Sequence, residues 1–376
     1  MFNSKAVTVS KGLAIIFVVC AHSAVPLHMF RFLVIFVMPF FFAISGYCFK
    51  PKYLADPKTF VLRRVKGLWI PYAKWMILFI LLHNLFYQLN IYNEAYGEIS
   101  PYTLRDTLMA CVKAVCFSGG EQLLGPYWFL RELFKASLLG YLCIKYLKKF
   151  RISASLILAT FLILAYFEVG KGIPFPGIAI SALTCYATFF FLFGHALRQN
   201  EERGGIFARF DTLPTIWQLA IVLLLAAAVT LPLRLCGFPY MIIETADDIR
   251  QAPMFLFGAL SGLLMTIWLS RLITTNLSRI SLLTYAGTHS LTILTWHMLC
   301  LKLVSLLIIA TYHLPIARLA TFPSIATKHL QAEGVDITYS YWWIAYIIVG
   351  AGLPLAGKYL TERIKGAKRS AKSKKQ

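Results

Sequence analysis

A lysine and a histidine stand eleven residues apart in an otherwise apolar stretch, Lys11-Gly-Leu-Ala-Ile-Ile-Phe-Val-Val-Cys-Ala-His22. Ionisable groups are costly in hydrocarbon and persist there where a pocket, a water-filled cavity or a partner stabilises them. On an α-helix this spacing turns through about 1100° and rises roughly 16 Å, so the two side chains share one stripe without touching. An ammonium near one end and an imidazole near the other describe a ligand lying along the helix, anion first and reactive end last. Imidazole suits proton transfer near neutral pH. Its ordinary alternative is a packing histidine bonded to a neighbouring carbonyl.

Other residues invite chemistry of their own. His22 has no carboxylate three or four positions away, where Val18, Val19, Val25 and Pro26 stand, so an orienting partner must come from another segment. Glu132 is the one acidic residue deep in an apolar stretch. It either holds the His22 ring or pairs with Arg131 or Lys135. In Met38-Pro-Phe-Phe-Phe-Ala-Ile-Ser45-Gly46-Tyr47 the proline frees backbone carbonyls and Ser45-Gly46 permits close backbone approach, a pattern for a helix broken where it lines a cavity. Arg63 and Lys66, three apart, form a fork suited to phosphate on one helix face, or a charge block that fixes topology. Gly125-Pro-Tyr127-Trp128-Phe-Leu130 offers either an interfacial aromatic belt or a flat platform for a sugar ring. His289 and His297, with several hydroxyls, occupy a late apolar segment, where packing is the ordinary use of each alone.

These residues must be positioned by membrane helices. With 59% hydrophobic and 14% charged residues, the composition lies far outside that of soluble domains. Apolar runs predict ten spans, near 7–26, 30–49, 69–90, 124–146, 152–168, 177–197, 215–236, 252–270, 285–310 and 341–360. If the connections alternate sides from a cytoplasmic amino terminus, 25 of the 37 Lys and Arg fall inside and eight outside. That excess predicts an all-α integral membrane protein with about ten transmembrane helices and both termini cytoplasmic. It also turns the net charge of +21 into a topology signal and away from nucleic acid. The run from Lys365 onward reads as a basic tail at 365–376, touching anionic lipid, after a single membrane domain over 1–364. The first helix reads as uncleaved, since removing it would leave an odd number of spans. Of eight cysteines, only Cys111 and Cys116 lie close together in one outer loop, a weak signal for a bridge, and no Cys/His spacing resembles a metal site.

Together these motifs resemble the acyltransferase 3 family of bacterial integral-membrane O-acyltransferases. The family's first-helix signature, a basic residue, ten others and a histidine, is matched by Lys11-Gly12 and Val18 to His22. Its "P-x-F-F-x-x-S-G-Y/F" element falls on Pro39, Phe41, Phe42, Ser45, Gly46 and Tyr47, and its Arg-x-x-Arg element on Arg63 and Lys66. Its "W-F-L" falls on Trp128 to Leu130 and its late "S-L-x-I-(x)3-H" on Ser290, Leu291, Ile293 and His297. Lysine replaces arginine at the first and third elements, as in the sugar O-acetyltransferase branch; charge is kept and the bidentate fork is lost.

The resemblance implies transfer of an acetyl or other short acyl group from acyl-CoA to a hydroxyl of a surface or lipid-linked glycan, in the inner membrane of a bacterium. With it, His22 is read as general base, and Glu132 as its catalytic partner if the two approach one another. Lys11, Arg63, Lys66, Ser45 and Tyr47 would bind acetyl-CoA, and Tyr127, Trp128 and His297 the acceptor, with no metal. An acyl-enzyme on Cys20 or Ser23 is less attractive, because residues one or two away on a helix do not face each other. Two other readings stand beside it. One is a transporter or flippase of a lipid-linked sugar or small solute. The other is a different membrane acyltransferase class, with its chemistry on His289 or His297.

Overall fold

The computed structural model describes residues 4–94, 99–147, 181–235, 246–277, 280–321 and 341–373, and within these it is helical, without strands. In chain order the helices are α1 (Ser4–Ala21), α2 (Leu27–Val34), α3 (Val37–Tyr47), α4 (Pro57–Arg64), α5 (Ile70–Leu81), α6 (Leu104–Val115) and α7 (Trp128–Leu142). They continue with α8 (Ala182–Glu202), α9 (Thr215–Leu235), α10 (Ala246–Asn276), α11 (Ser281–Thr288), α12 (Ser290–Thr311) and α13 (Trp342–Ser373). Among the described residues six stretches are long and apolar enough to cross a membrane: Ser4–Ala21, Leu27–Tyr47, Thr215–Leu235, Gln251–Asn276, Ser290–Thr311 and Trp342–Gly366. The chain is thus a multi-pass membrane protein. The fifth expected span, 152–168, lies outside the described residues, as does the end of the basic tail.

Several expected spans are interrupted where the sequence interferes with helical hydrogen bonding. The second pauses at Ile35-Phe36 and restarts at Val37. Pro39 then falls in a first turn, where its missing N–H costs nothing, and the break sits at the i−4 position its ring would crowd. The stretch expected at 69–90 opens with a π-helical turn, Val65–Trp69, and breaks again between Leu81 and His83. The expected span at 285–310 divides at His289.

The described chain forms two compact units. The first contains Met1–Ser10, Arg31–Leu81 and Tyr102–Ile280. Its centre is the contact of α3 with α8, and a Cβ on Gly46 would collide with the Phe191 carbonyl while one on Gly194 would collide with that of Ala43. Glycine is required at both because backbone meets backbone. Around this seam Phe49, Tyr53, Phe60, Tyr141, Ile144 and Phe191 form one buried cluster. Helices α8 and α10 run the same way, with Tyr186 and Phe190 beside Phe255 near their starts and Glu201 beside Arg271 near their ends. Helix α7 follows them, with Glu132 against Thr184 and Gly140 against Phe191.

The second unit contains Lys11–Phe30, Leu82–Pro101 and Ser281–Gln376. Gly12 lies under the backbone of Leu283 and Gly287, and His22 lies beside His297, so α1 runs parallel to the α11–α12 pair. Helix α13 runs against them: Gly350 packs on Val19 and Leu301, and Glu362 meets Tyr285 and His289. Ser305 and Tyr346 share a buried hydrogen bond of 2.9 Å between α12 and α13.

Candidate active site

Helix α1 ends at Ala21, and Ala24 takes a positive φ of 53° ahead of Pro26, so His22 is the first residue beyond the helix. Its backbone N–H still bonds the Val19 carbonyl at 3.0 Å, which keeps the ring on the α1 stripe. The His22 Nδ1 lies 2.8 Å from the Val18 carbonyl oxygen. A carbonyl only accepts, so Nδ1 carries the proton and Nε2 presents a lone pair. The ring remains partly exposed.

His297 on α12 is fully buried at 0% exposure, and its ring centroid lies 5.2 Å from that of His22 with the planes at 66°. Its Nδ1 lies 3.0 Å from the carbonyls of both Ile293 and Leu294, which fixes the same tautomer. Among the described residues its Nε2 has no hydrogen-bond partner. Sequence reasoning selected both histidines and missed their pairing, which only the parallel course of α1 and α12 creates. Ser23 is buried and its hydroxyl donates to the Val19 carbonyl at 2.6 Å, and Cys20 is buried too. His289, at the α11–α12 break, instead faces Glu362 at 3.6 Å with the Tyr285 ring at 4.3 Å. Lys11 is partly exposed on α1.

The remaining expected site residues belong to the first unit. Glu132 is buried, with Oε1 2.8 Å from Lys135 Nζ and 3.3 Å from Arg131 Nε, and Oε2 accepting from Thr184 Oγ1 at 2.7 Å. The carboxylate is thus held in a local ion pair on its own helix. Ser45 Oγ accepts from Arg64 Nη1 at 3.2 Å, and the Arg64 guanidinium lies 5.0 Å from the Phe60 ring centroid and 5.9 Å from that of Phe191. Burial lowers the Arg64 pKa to about 10. Arg64 was not selected in the sequence because Arg63 and Lys66 share the regular spacing. The π turn begins between those two, and both remain exposed. Asp56 caps α4 through the Thr59 N–H at 3.0 Å, and the side-chain and backbone hydrogen bonds of Thr59 hold its carboxyl below the ordinary carboxylate range.

The Tyr47 hydroxyl donates to Glu201, whose Oε1 lies 2.5 Å from Arg271 Nη2, and Arg271 Nη1 reaches Asp211 at 2.7 Å. Arg198 Nη1 donates to the carbonyls of Tyr47 and Phe49 at 3.4 Å. The signal for this network was the charge at the ends of α8 and α10, although nothing in the sequence joins those ends. Tyr127 is fully buried beside Tyr72 at 6.1 Å, whereas Trp128 is partly exposed. Cys111 and Cys116 are free thiols. Among the described residues no group of three metal-ligating side chains occurs.

Searches of curated proteins and of solved structures return no match. A family model described as an acyltransferase domain matches residues 5–357. That match covers nearly the whole chain, both histidine-bearing helices included, and the arrangement it spans is that of a multi-pass helical protein. The chain belongs to the acyltransferase 3 family and is an acyltransferase.

Proposed function

We propose that the protein moves an acetyl or other short acyl group from acyl-CoA to a hydroxyl of a surface or lipid-linked glycan, in the inner membrane of a bacterium, with His22 as general base. The observation that supports this most is the His22 tautomer: Nδ1 is tied to the Val18 carbonyl and a partly exposed ring keeps the Nε2 lone pair for an incoming hydroxyl. In the reaction the acceptor oxygen attacks the thioester carbonyl carbon as its proton passes to Nε2. The C–S bond then breaks, and the imidazolium returns that proton to the leaving thiolate. The carbonyl end of α1 complements the transient positive charge. The engaged hydroxyl of Ser23 favours this direct transfer over an acyl-serine intermediate.

For the donor phosphates, the exposed Arg63 and Lys66 are the proposed contacts in the first unit and Lys11 in the second. Ser45 and Tyr47 act through Arg64 and Glu201, holding the cytoplasmic ends of their helices. Trp128 is the proposed acceptor platform, with Tyr127 supporting it from the core. The positive-inside excess supports ten spans with both termini in the cytoplasm.

His22→Ala is expected to lower acyl transfer at least 100-fold per inserted protein. The measurement is free thiol released from acetyl-CoA by membranes that carry the native acceptor, alongside the O-acyl content of the surface glycan. Undiminished transfer by correctly inserted His22→Ala protein removes the base from His22.

A further inference from the structure

We propose that His297 is a positioning residue that shares the transferred proton with His22, so that the two imidazoles act as one base with a single exchangeable proton. This rests on His22 being the base. Both rings are pinned through Nδ1–H to carbonyls of their own helices, so each has only Nε2 available. Among the described residues the His297 Nε2 has no hydrogen-bond partner, and the residue is fully buried. An unpaired buried acceptor is costly, and such a group in a native site calls for a use. Gaining one proton on His22 supplies that use. Ring nitrogens lie about 1.2 Å from their ring centres and an N–H···N bond spans about 2.9 Å, so rings joined by one have centres roughly 5 Å apart. The observed separation is 5.2 Å.

The proton count closes. The acceptor O–H bond breaks and its proton reaches His22 Nε2, where the His297 Nε2 lone pair accepts a hydrogen bond from it; when the C–S bond breaks, the proton goes to the thiolate sulfur. Both Nδ1–H bonds to carbonyls persist throughout. The other ionisable groups on these helices are occupied elsewhere or removed along the chain. Lys302 Nζ donates to the Leu319 and Ala320 carbonyls at 2.7 and 3.2 Å, Tyr346 is bonded to Ser305, and His289 and Lys358 face Glu362. Cys20 precedes His22 by two residues and Cys300 follows His297 by three. Lys11 lies three turns below His22 on α1.

The test compares His297→Ala, His297→Phe and His297→Gln in the full chain, assayed in native membranes with acetyl-CoA as probe and normalised to inserted protein. Phenylalanine keeps a packed ring without a lone pair, whereas glutamine supplies an acceptor without a ring. A hydrogen bond to a charged group is worth about 10- to 100-fold in rate. The Ala and Phe variants should lose that much in kcat with KM for acetyl-CoA unchanged, and Gln should recover part of it. In Ala and Phe the acid limb of the rate profile should move to lower pH, because the protonated His22 has lost its acceptor. Wild-type rate and limb in His297→Phe, or no recovery by Gln, overturn the pairing. Comparison with His22→Ala separates the two claims: if that variant still transfers acyl groups, the base assignment itself falls.

Discussion

Glu132 and Lys135 are held to each other on one turn of α7, both nearly without solvent. Removing one partner of such a pair strands the other charge in a medium that cannot solvate it. Glu132→Ala is therefore expected to destabilise the protein by about 3–5 kcal/mol, read as a lower unfolding midpoint in detergent. The double variant Glu132→Leu with Lys135→Leu should recover most of that loss and still transfer acyl groups. A stable but inactive double variant would assign Glu132 to the chemistry instead. This pairing was legible in the sequence because its members are three residues apart on a helix. His22 was legible for a different reason, as a polar group in a stretch with no other use for one. His297 was legible as a candidate too, but its adjacency to His22 was not, since two histidines at opposite ends of a chain carry no sign of adjacency. Arg64 escaped notice beside Arg63 because the choice between them depends on the π turn that follows, which the sequence does not announce.

The contact between α3 and α8 depends on two glycines rather than on side-chain fit. Gly46→Ala or Gly194→Ala must push the helices apart, at a cost of about 1–3 kcal/mol or more. Gly352→Ala on α13 meets nothing within 4 Å and should be neutral or slightly stabilising. Thermal unfolding of the three variants, followed by intrinsic fluorescence, checks both expectations. The close approach at Gly46 is what Ser45-Gly46 predicts. The break in that segment was legible in kind, but it falls one turn ahead of Pro39 because the proline ring crowds the carbonyl four residues earlier. Where an element is interrupted without proline, as at His289, hydropathy runs straight through. A few polar residues such as Thr288, His289 and Ser290 do not lower the mean hydropathy of a long apolar run enough to mark the break.

Helix direction ties the molecule to its membrane. Helices α7, α8 and α10 run one way within the first unit, and α13 runs against α1 and α12 within the second, directions compatible with the proposed alternation. Exposed side chains such as Trp217, Leu223 and Leu224 on α9 and Leu303 and Leu307 on α12 are suited to lipid contact. The proposed sidedness is testable with two exposed cysteines of the first unit. An impermeant maleimide on intact spheroplasts should label Cys116 and spare Cys48, with both labelled after permeabilisation. The reverse pattern inverts the topology. Relative direction was legible through lysine and arginine counts, whereas the partition into two units was not, because the second takes pieces from both ends of the chain. That partition has a consequence for biosynthesis. The ribosome delivers Gly12, Val19 and His22 of the α1 segment almost first and their neighbours Gly287, Gly350 and His297 almost last. At roughly 5–20 residues per second, on the order of tens of seconds pass before α1 can be enclosed. During that interval α1, with its lysine and histidine, waits in the bilayer without these neighbours, and the contact of His22 with His297 is among the last parts of the protein to form.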